Sequence, residues 1–277
     1  MVAERLRVLT LNIWNMSPPW PERRVEILAW LDLLGADIVC LQEVLDSPGG
    51  LNQAEWLAAR AGAGYQVAYG PASTHGEHRM GNAILSRWPV RTVAVTPLPA
   101  SALADDAQRA VLHARTAGID VFCTHLSWRF EDGAVREQQV EVVADVIAGG
   151  ADPASPLPPV LAGDLNAEPD SAEVRFLTGL TARGGRSVYF QDAWRVAGGR
   201  GPGNSWDNRN PFAAQALEPD RRIDYILVGW RRPGGAGRVQ TAGLACDRSL
   251  TGVYATDHFG VFADLEIGRT ELPAPGG

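Results

Sequence analysis

The sequence predicts a mixed α/β fold in which strands and helices alternate at first and strands then follow one another directly. Three observations predict it. Short apolar runs near the N-terminus are separated by segments of helical periodicity. The middle of the chain passes from strand to strand with only turns between, which a purely parallel, doubly wound sheet would not do, so the sheets are mixed. Finally, several apolar runs end on Asn, Glu, Asp or His, residues that are costly to bury without a partner.

Arg7 to Ile13 reads as the first buried strand. Pro21 to Leu31 carries helical periodicity, with proline in the first turn and Glu22 beside it. Ile38 to Leu41 is the next strand and Gln53 to Ala61 the next helix. Gly81 to Ser86, Arg91 to Pro97, Ala110 to Thr116 and Asp120 to Thr124 read as consecutive strands. Arg136 to Ile147 is a helix with Val140, Val143, Ala144 and Ile147 on one face. Pro158 to Ala162 is a short buried strand, Ser171 to Leu180 a capped helix, and Ile223 to Val228 and Phe259 to Ile267 the last strands. Glycine-rich stretches at 148–159, 198–203 and 232–237 read as surface loops. Residues 1–270 are expected to form a single domain and 271–277 a loose tail.

With 277 residues, 45% hydrophobic and 21% charged, the chain has ordinary globular composition. A net charge of −7 gives no global field to attract nucleic acid or an anionic membrane. All 25 basic residues are arginine, and the accompanying excess of Ala and Gly attributes this to base composition more than to phosphate recognition. Cys40, Cys123 and Cys246 are odd in number and widely spaced, which argues against a disulfide framework. With no apolar run of membrane-spanning length and no leader ahead of the first strand, a cytoplasmic monomer without a transmembrane segment is expected.

The polar strand ends form an ordered set: Leu11-Asn12, Gln42-Glu43, Thr124-His125, Gly163-Asp164-Leu165-Asn166, Arg222-Ile223-Asp224-Tyr225 and Thr256-Asp257-His258. Singly, each has an ordinary explanation. Asn12 could cap a turn, Asp164 could form an Asx-turn with Asn166, Asp224 could pair with Arg222, and His125 could be a satisfied core histidine. Together they make a carboxylate-rich pocket. Glu43 and Asp257 are hard oxygen ligands and Asn12 adds an amide oxygen, a set that suits Mg²⁺ or Mn²⁺ better than zinc. A carboxylate beside His258 would fix its tautomer and let the other ring nitrogen activate water.

In its order and spacing this set resembles the endonuclease/exonuclease/phosphatase superfamily of DNase I-like phosphoesterases. The resemblance implies a four-layer α/β/β/α sandwich of two mixed sheets with the site at one edge. It implies Glu43 as the principal metal ligand, supported by Asn12 and Asp257, and a His258–Asp224 pair as the water-activating element. Asp164 would position water or hold a second metal, Asn166 would donate to a non-bridging phosphate oxygen, and His125 would donate to the phosphate or assist the leaving group. The substrate expected is a phosphate ester, foremost a small or lipid-derived phosphodiester. A nuclease is the alternative, less favoured by net charge, and an inactive binding module a third. Arg183, Arg186, Arg195, Arg200, Arg209, Arg221 and Arg222 could supply a local nucleic-acid surface or be solvated loop arginines. Arg221 stands where repair members of the family have an aromatic residue lining an abasic-sugar pocket. Trp14, Trp20, Trp128, Phe130 and Trp206 fall near the motifs and could rim the pocket. Asn82 could face substrate or be structural, and His75, Glu77 and His78 read as a solvated loop.

Overall fold

The computed structural model describes residues 5–50, 52–102, 107–199 and 201–268; the expected tail at 271–277 lies outside them. Two six-stranded mixed sheets pack face to face. The first has the order β11 (Val239–Ala245), β12 (Gly260–Glu266), β1 (Arg5–Asn12), β2 (Ile38–Asp46), β4 (His78–Ser86), β3 (Gln66–His75). The second has the order β5 (Val90–Pro97), β6 (Ala110–Thr116), β7 (Ile119–His125), β8 (Val160–Asp164), β10 (Asp224–Val228), β9 (Gln191–Asp192). One pair in each sheet is parallel, β1 with β2 and β7 with β8.

Side-chain alternation builds four layers. Val8, Ile38, Cys40, Val121, Cys123, Val160, Ala162 and Ile226 fill the space between the sheets. Their neighbours Leu9, Leu11, Val39 and Leu41 face the other way, onto α1 (Trp20–Leu34) and α2 (Gln53–Ala58). On the far side, Phe122, Leu161, Tyr225 and Leu227 meet α3 (Gly133–Gly150) and α4 (Ala172–Leu177). The face of α3 expected from periodicity is the face that packs. The Ser171 hydroxyl caps α4 by accepting from the Val174 N–H. A short α5 (Ala193–Ala197) follows β9.

Three readings change. The stretch at 148–159 begins inside α3, because Gly149 and Gly150 complete its last turn. The expected loop around His75, Glu77 and His78 is the tight end of the β3–β4 hairpin, with His75 and His78 in register. Strands β3 and β11 were missed altogether. Gly70-Pro71 looks like a turn, but β3 is an edge strand with a register shift there, where proline is tolerated. Gly243 of β11 leaves room for the Phe262 ring, which lies 2.7 Å from where its Cβ would be. Among the described residues no helix is long and apolar enough to cross a membrane.

Candidate active site

The alternation that fills the core also delivers polar side chains to one end of it. Val8, Thr10 and Asn12 share a face of β1; Val121, Cys123 and His125 share one of β7; Val160, Ala162 and Asp164 share one of β8. In register, His125 stands beside Asp164 across the parallel β7–β8 pair. Asp224 opposes Asp164 because β10 runs antiparallel to β8. Gly163 permits this approach, since a Cβ there would lie 2.0 Å from the Thr124 carbonyl oxygen.

Glu43 reaches the same point by a different device. The β2–β4 register shifts between Leu41 and Val44, and Glu43 adopts a left-handed φ of 57°. Such a bulge re-aims a side chain at a backbone cost that recurs at functional sites. Trp14 and Asn15, also at positive φ, turn the chain after β1 so that Asn15 Nδ2 donates to Glu43 Oε2 at 2.9 Å. Asn12 Nδ2 donates to Glu43 Oε1 at 3.2 Å and to Asp164 Oδ2 at 3.1 Å, while its Oδ1 accepts from the Trp14 N–H. One lone pair of that oxygen is left for any further role.

The segment before β12 carries the rest. Thr256 Oγ1 sits 2.8 Å from the Asn12 carbonyl oxygen and 3.0 Å from Asp257 Oδ1, fixing Asp257 beside β1. His258 Nδ1 contacts Asp224 Oδ2 at 2.8 Å, and His258 Nε2 lies 3.7 Å from Asp164 Oδ2. Ser205 and Trp206 strap the two segments together. Ser205 Oγ accepts from the backbone N–H of Ile223 and Asp224, its carbonyl accepts from Phe259, and the Trp206 ring meets His258 edge-on at 5.1 Å. Asn166, at φ 48°, gives its N–H to Asp164 Oδ1 and its side-chain Nδ2 to the Leu126 carbonyl. The Asx-turn is therefore real, and it leaves one amide hydrogen of Asn166 uncommitted.

All eight predicted residues meet within this one region, and all but Asp224 line a cavity of about 440 Å³. Sequence reasoning missed Asn15 and Arg23. Arg23 is fully buried on α1, and its guanidinium donates to the carbonyls of Ile13, Trp14, Asn15, Ser17 and Ala255. A helical arginine gives no sequence signal of that role. Of the five aromatic residues near the motifs, Trp14, Trp128 and Trp206 line the cavity, joined by Phe212. Asn82 donates to the Ala110 carbonyl at 2.9 Å and ties β4 to β6.

Electrostatics divide the site. Burial, then the Asp224 charge, pushes Asp164 up to about 7. Burial also raises Asp257, to about 6, with Glu43 adding to the effect. Burial alone would lower His258, but Asp224, Asp164 and Asp257 overcome it and lift the ring to about 10. Asp164, Asp224 and His258 offer ligand atoms within 4.8 Å of one another. A 2.8 Å N···O contact is hydrogen-bond geometry, however, and it commits Nδ1 of His258 to Asp224. Glu43, Asp257 and the remaining lone pair of Asn12 form the oxygen-only corner. The Glu43 charge adds to burial in raising the proton affinity of Asp257 there, a donor set that fits a hard divalent cation.

The sequence profile of the Endonuclease/Exonuclease/phosphatase family matches residues 9–258. The chain belongs to that family. Among solved structures it is similar to an endonuclease/exonuclease/phosphatase from Beutenbergia cavernae DSM 12333, at 24% identity and TM-score 0.70, over 96% of this chain and 72% of that one. It is similar to TDP2 from D. rerio complexed with single strand DNA product, at 20% identity and TM-score 0.69, over 94% and 98%. A family protein from Bacteroides vulgatus aligns at 18% identity and TM-score 0.70, over 95% and 98%. At these identities the likeness establishes the DNase I-like fold. No functionally curated protein matches the sequence.

Proposed function

We propose that the chain is a divalent-metal-dependent phosphodiesterase that cleaves a small or lipid-derived phosphodiester by attack of an activated water. The observation that carries this reading is the 2.8 Å His258–Asp224 pair facing an oxygen-only corner across one cavity. Glu43 and Asp257, with Asn12, would hold Mg²⁺ or Mn²⁺. Bound there, the ion would supply Lewis-acid polarisation of a phosphoryl oxygen.

The chain's own groups do the remaining work. Asp224 takes the Nδ1 proton of His258 in a hydrogen bond, which leaves Nε2 to accept a proton from water. Asp164, close to that nitrogen, orients the water. Asp257 is one of the charges that raise His258, so any countercharge at Asp257 would favour the neutral ring that can accept a proton. The uncommitted amide hydrogen of Asn166 donates to a non-bridging oxygen.

Cavity size favours a small substrate. So do the arginines considered for a nucleic-acid surface. Arg183 pairs with Glu137 and Glu141, Arg186 with Asp145, Arg209 with Asp207, Arg221 with Glu218 and Arg222 with Asp192. Five of the seven candidates for a phosphate-tracking surface are thus matched to acids, and Arg200 lies outside the described residues. A second reading, a nuclease that releases a single-stranded DNA product, is favoured by two observations. The D. rerio TDP2 fold was captured with such a product. Trp128, 45% exposed at the cavity wall, offers a stacking face.

The test is hydrolysis of bis(p-nitrophenyl) phosphate, p-nitrophenyl phosphate, a glycerophosphodiester and a 5′-blocked single-stranded oligonucleotide, with Mg²⁺, Mn²⁺ or EDTA. Diester turnover abolished by EDTA and by Glu43→Ala is expected. Oligonucleotide turnover alone would favour the second reading, and metal-independent turnover would overturn the first.

A further inference from the structure

His125 closes β7 and is 5% exposed, with its two ring nitrogens in opposite surroundings. Nδ1 lies 2.9 Å from Nη1 of Arg109. Nε2 faces the cavity, 3.4 Å from Asp164 Oδ2. Arg109 is itself buried at 6% exposure, at the entry to β6, where its carbonyl accepts from the Leu98 N–H.

A guanidinium has only donors and keeps its protons at every accessible pH. In the 2.9 Å contact Arg109 must therefore give the hydrogen and His125 Nδ1 must accept it. A neutral imidazole that accepts at one nitrogen carries its proton on the other. We propose that Arg109 is a positioning residue of this site: it fixes His125 as the neutral Nε2–H tautomer and makes that ring a hydrogen-bond donor to the substrate phosphate that does not serve as a general acid.

Protonating Nδ1 would set two N–H groups of like charge against each other in a buried place. That like-charge contact disfavours the imidazolium. Burial, then the Arg109 charge, then His258, hold the ring well below the ordinary histidine value. The two histidines of the site are thus set in opposite senses. His258, with a carboxylate on Nδ1, presents a lone pair at Nε2 once its ring is neutral; His125, with a guanidinium on Nδ1, presents a proton there. One ring can take a proton from water and the other can only donate a hydrogen bond. Of the two roles expected for His125, donation to the phosphate and assistance to the leaving group, this proposal takes the first.

The donor's target rests on the proposed phosphodiesterase reading; the tautomer does not, and the experiment separates them. Protein labelled with [¹⁵N]histidine carries five rings, and the His125 ring is assigned by its loss in His125→Gln. At pH 7, two-bond ¹H–¹⁵N spectra should show His125 protonated at Nε2 and bare at Nδ1. In Arg109→Met the tautomer preference should collapse, and in Arg109→Lys, which keeps a cationic donor, it should be kept at least in part. A wild-type ring protonated at Nδ1, or at both nitrogens, would overturn the proposal without any assay of activity. With bis(p-nitrophenyl) phosphate, Arg109→Met should lower kcat on the order of 100-fold with KM changed only a few-fold, as for loss of one oriented donor. Arg109→Lys should recover part of it. A tautomer switch in Arg109→Met with kcat unchanged would sink the positioning role. Absence of turnover in the wild type would instead count against the phosphodiesterase reading, leaving the spectra to decide the tautomer.

Discussion

Asp224→Asn removes a charge and leaves the side-chain volume almost unchanged. The backbone N–H of Asp224 still donates to Ser205 Oγ, so the segment should keep its place. What changes is the 2.8 Å contact with His258. Two unit charges centred about 3.5 Å apart attract by about 4–5 kcal/mol at an effective dielectric of 20, which corresponds to roughly 3 units of imidazole pKa. Withdrawing that support drops His258 from about 10 towards or below its ordinary value. It also costs the ring its fixed tautomer, because an amide can offer either oxygen or NH₂ to Nδ1. The expected result is a fall in kcat for bis(p-nitrophenyl) phosphate of about 10²–10⁴-fold, with the acidic limb of the pH–rate profile displaced to lower pH. Thermal unfolding of both proteins under the same conditions separates chemistry from folding. A variant that folds normally and retains kcat within a few-fold, with its pH profile unmoved, would refute the dyad.

Three further outcomes test other parts of the structure. Asp264 accepts both arms of the Arg7 guanidinium, at 2.7 and 2.8 Å, and the Thr241 hydroxyl at 2.8 Å. Burial would raise its pKa, but these partners and Arg5 pull it below the usual range. Its stabilising contribution is therefore complete above the unfolded carboxyl value near pH 3.9 and is lost as pH falls through the lower folded value. Asp264→Ala should cost about 2–4 kcal/mol at pH 7 by chemical denaturation, and the difference should shrink in strong acid. Asp164 and Asp257 behave in the opposite sense. Raised to about 7 and about 6, they favour the metal-free fold fully below pH 3.9 and lose that contribution as pH climbs through those values. Metal-free protein should thus melt lower at pH 8 than at pH 5, and Mg²⁺ or Mn²⁺ at 100 times its Kd should raise Tm by on the order of 5–10 °C at pH 8. An equal rise at pH 5 would contradict the assignment of the corner. Gly163→Ala should prevent folding or cost more than about 3 kcal/mol, because its methyl would meet the Thr124 carbonyl at 2.0 Å; a fully stable variant would show that β7 and β8 can separate there.

How much of this was legible in the sequence depended on the distance over which each signal acts. The polar ends of apolar strands were legible, because period-2 alternation carries Val8 and Thr10 on to Asn12, and Val160 and Ala162 on to Asp164, on one face. The motif Gly163-Asp164-Leu165-Asn166 was legible as a site, although its glycine proved to serve strand approach as well as the turn. The edge strands β3 and β11 were not, because Gly70-Pro71 and Gly243 remove the local preference and only sheet pairing restores it. Arg23 and Arg109 escaped notice for a related reason. Each looks like an ordinary surface arginine until residues distant in sequence close around it: Ala255 for Arg23, and His125 for Arg109.

The distribution of partners explains why a carboxylate-rich end is tolerated by the fold. Elsewhere, three buried acids are matched to guanidinium groups: Asp192 to Arg222, Glu173 to Arg136 and Asp264 to Arg7. Around the oxygen-only corner the supporting contacts come from neutral donors or go to the backbone. Asn12 and Asn15 hold Glu43, Thr256 holds Asp257, Ser205 holds the Asp224 segment, and Arg23 reaches carbonyls where it could have closed salt bridges. Such contacts fix position without adding countercharge, so Asp164 beside Asp224 and Asp257 beside Glu43, both buried, bind protons more tightly than free carboxyls. A site held this way keeps its affinity for an external cation in reserve, because any cation that enters relieves a repulsion already built into the fold. Had Arg23 turned its guanidinium onto Glu43 and Asp257, the fold would have gained a buried ion pair and the corner would have lost its reason to bind metal.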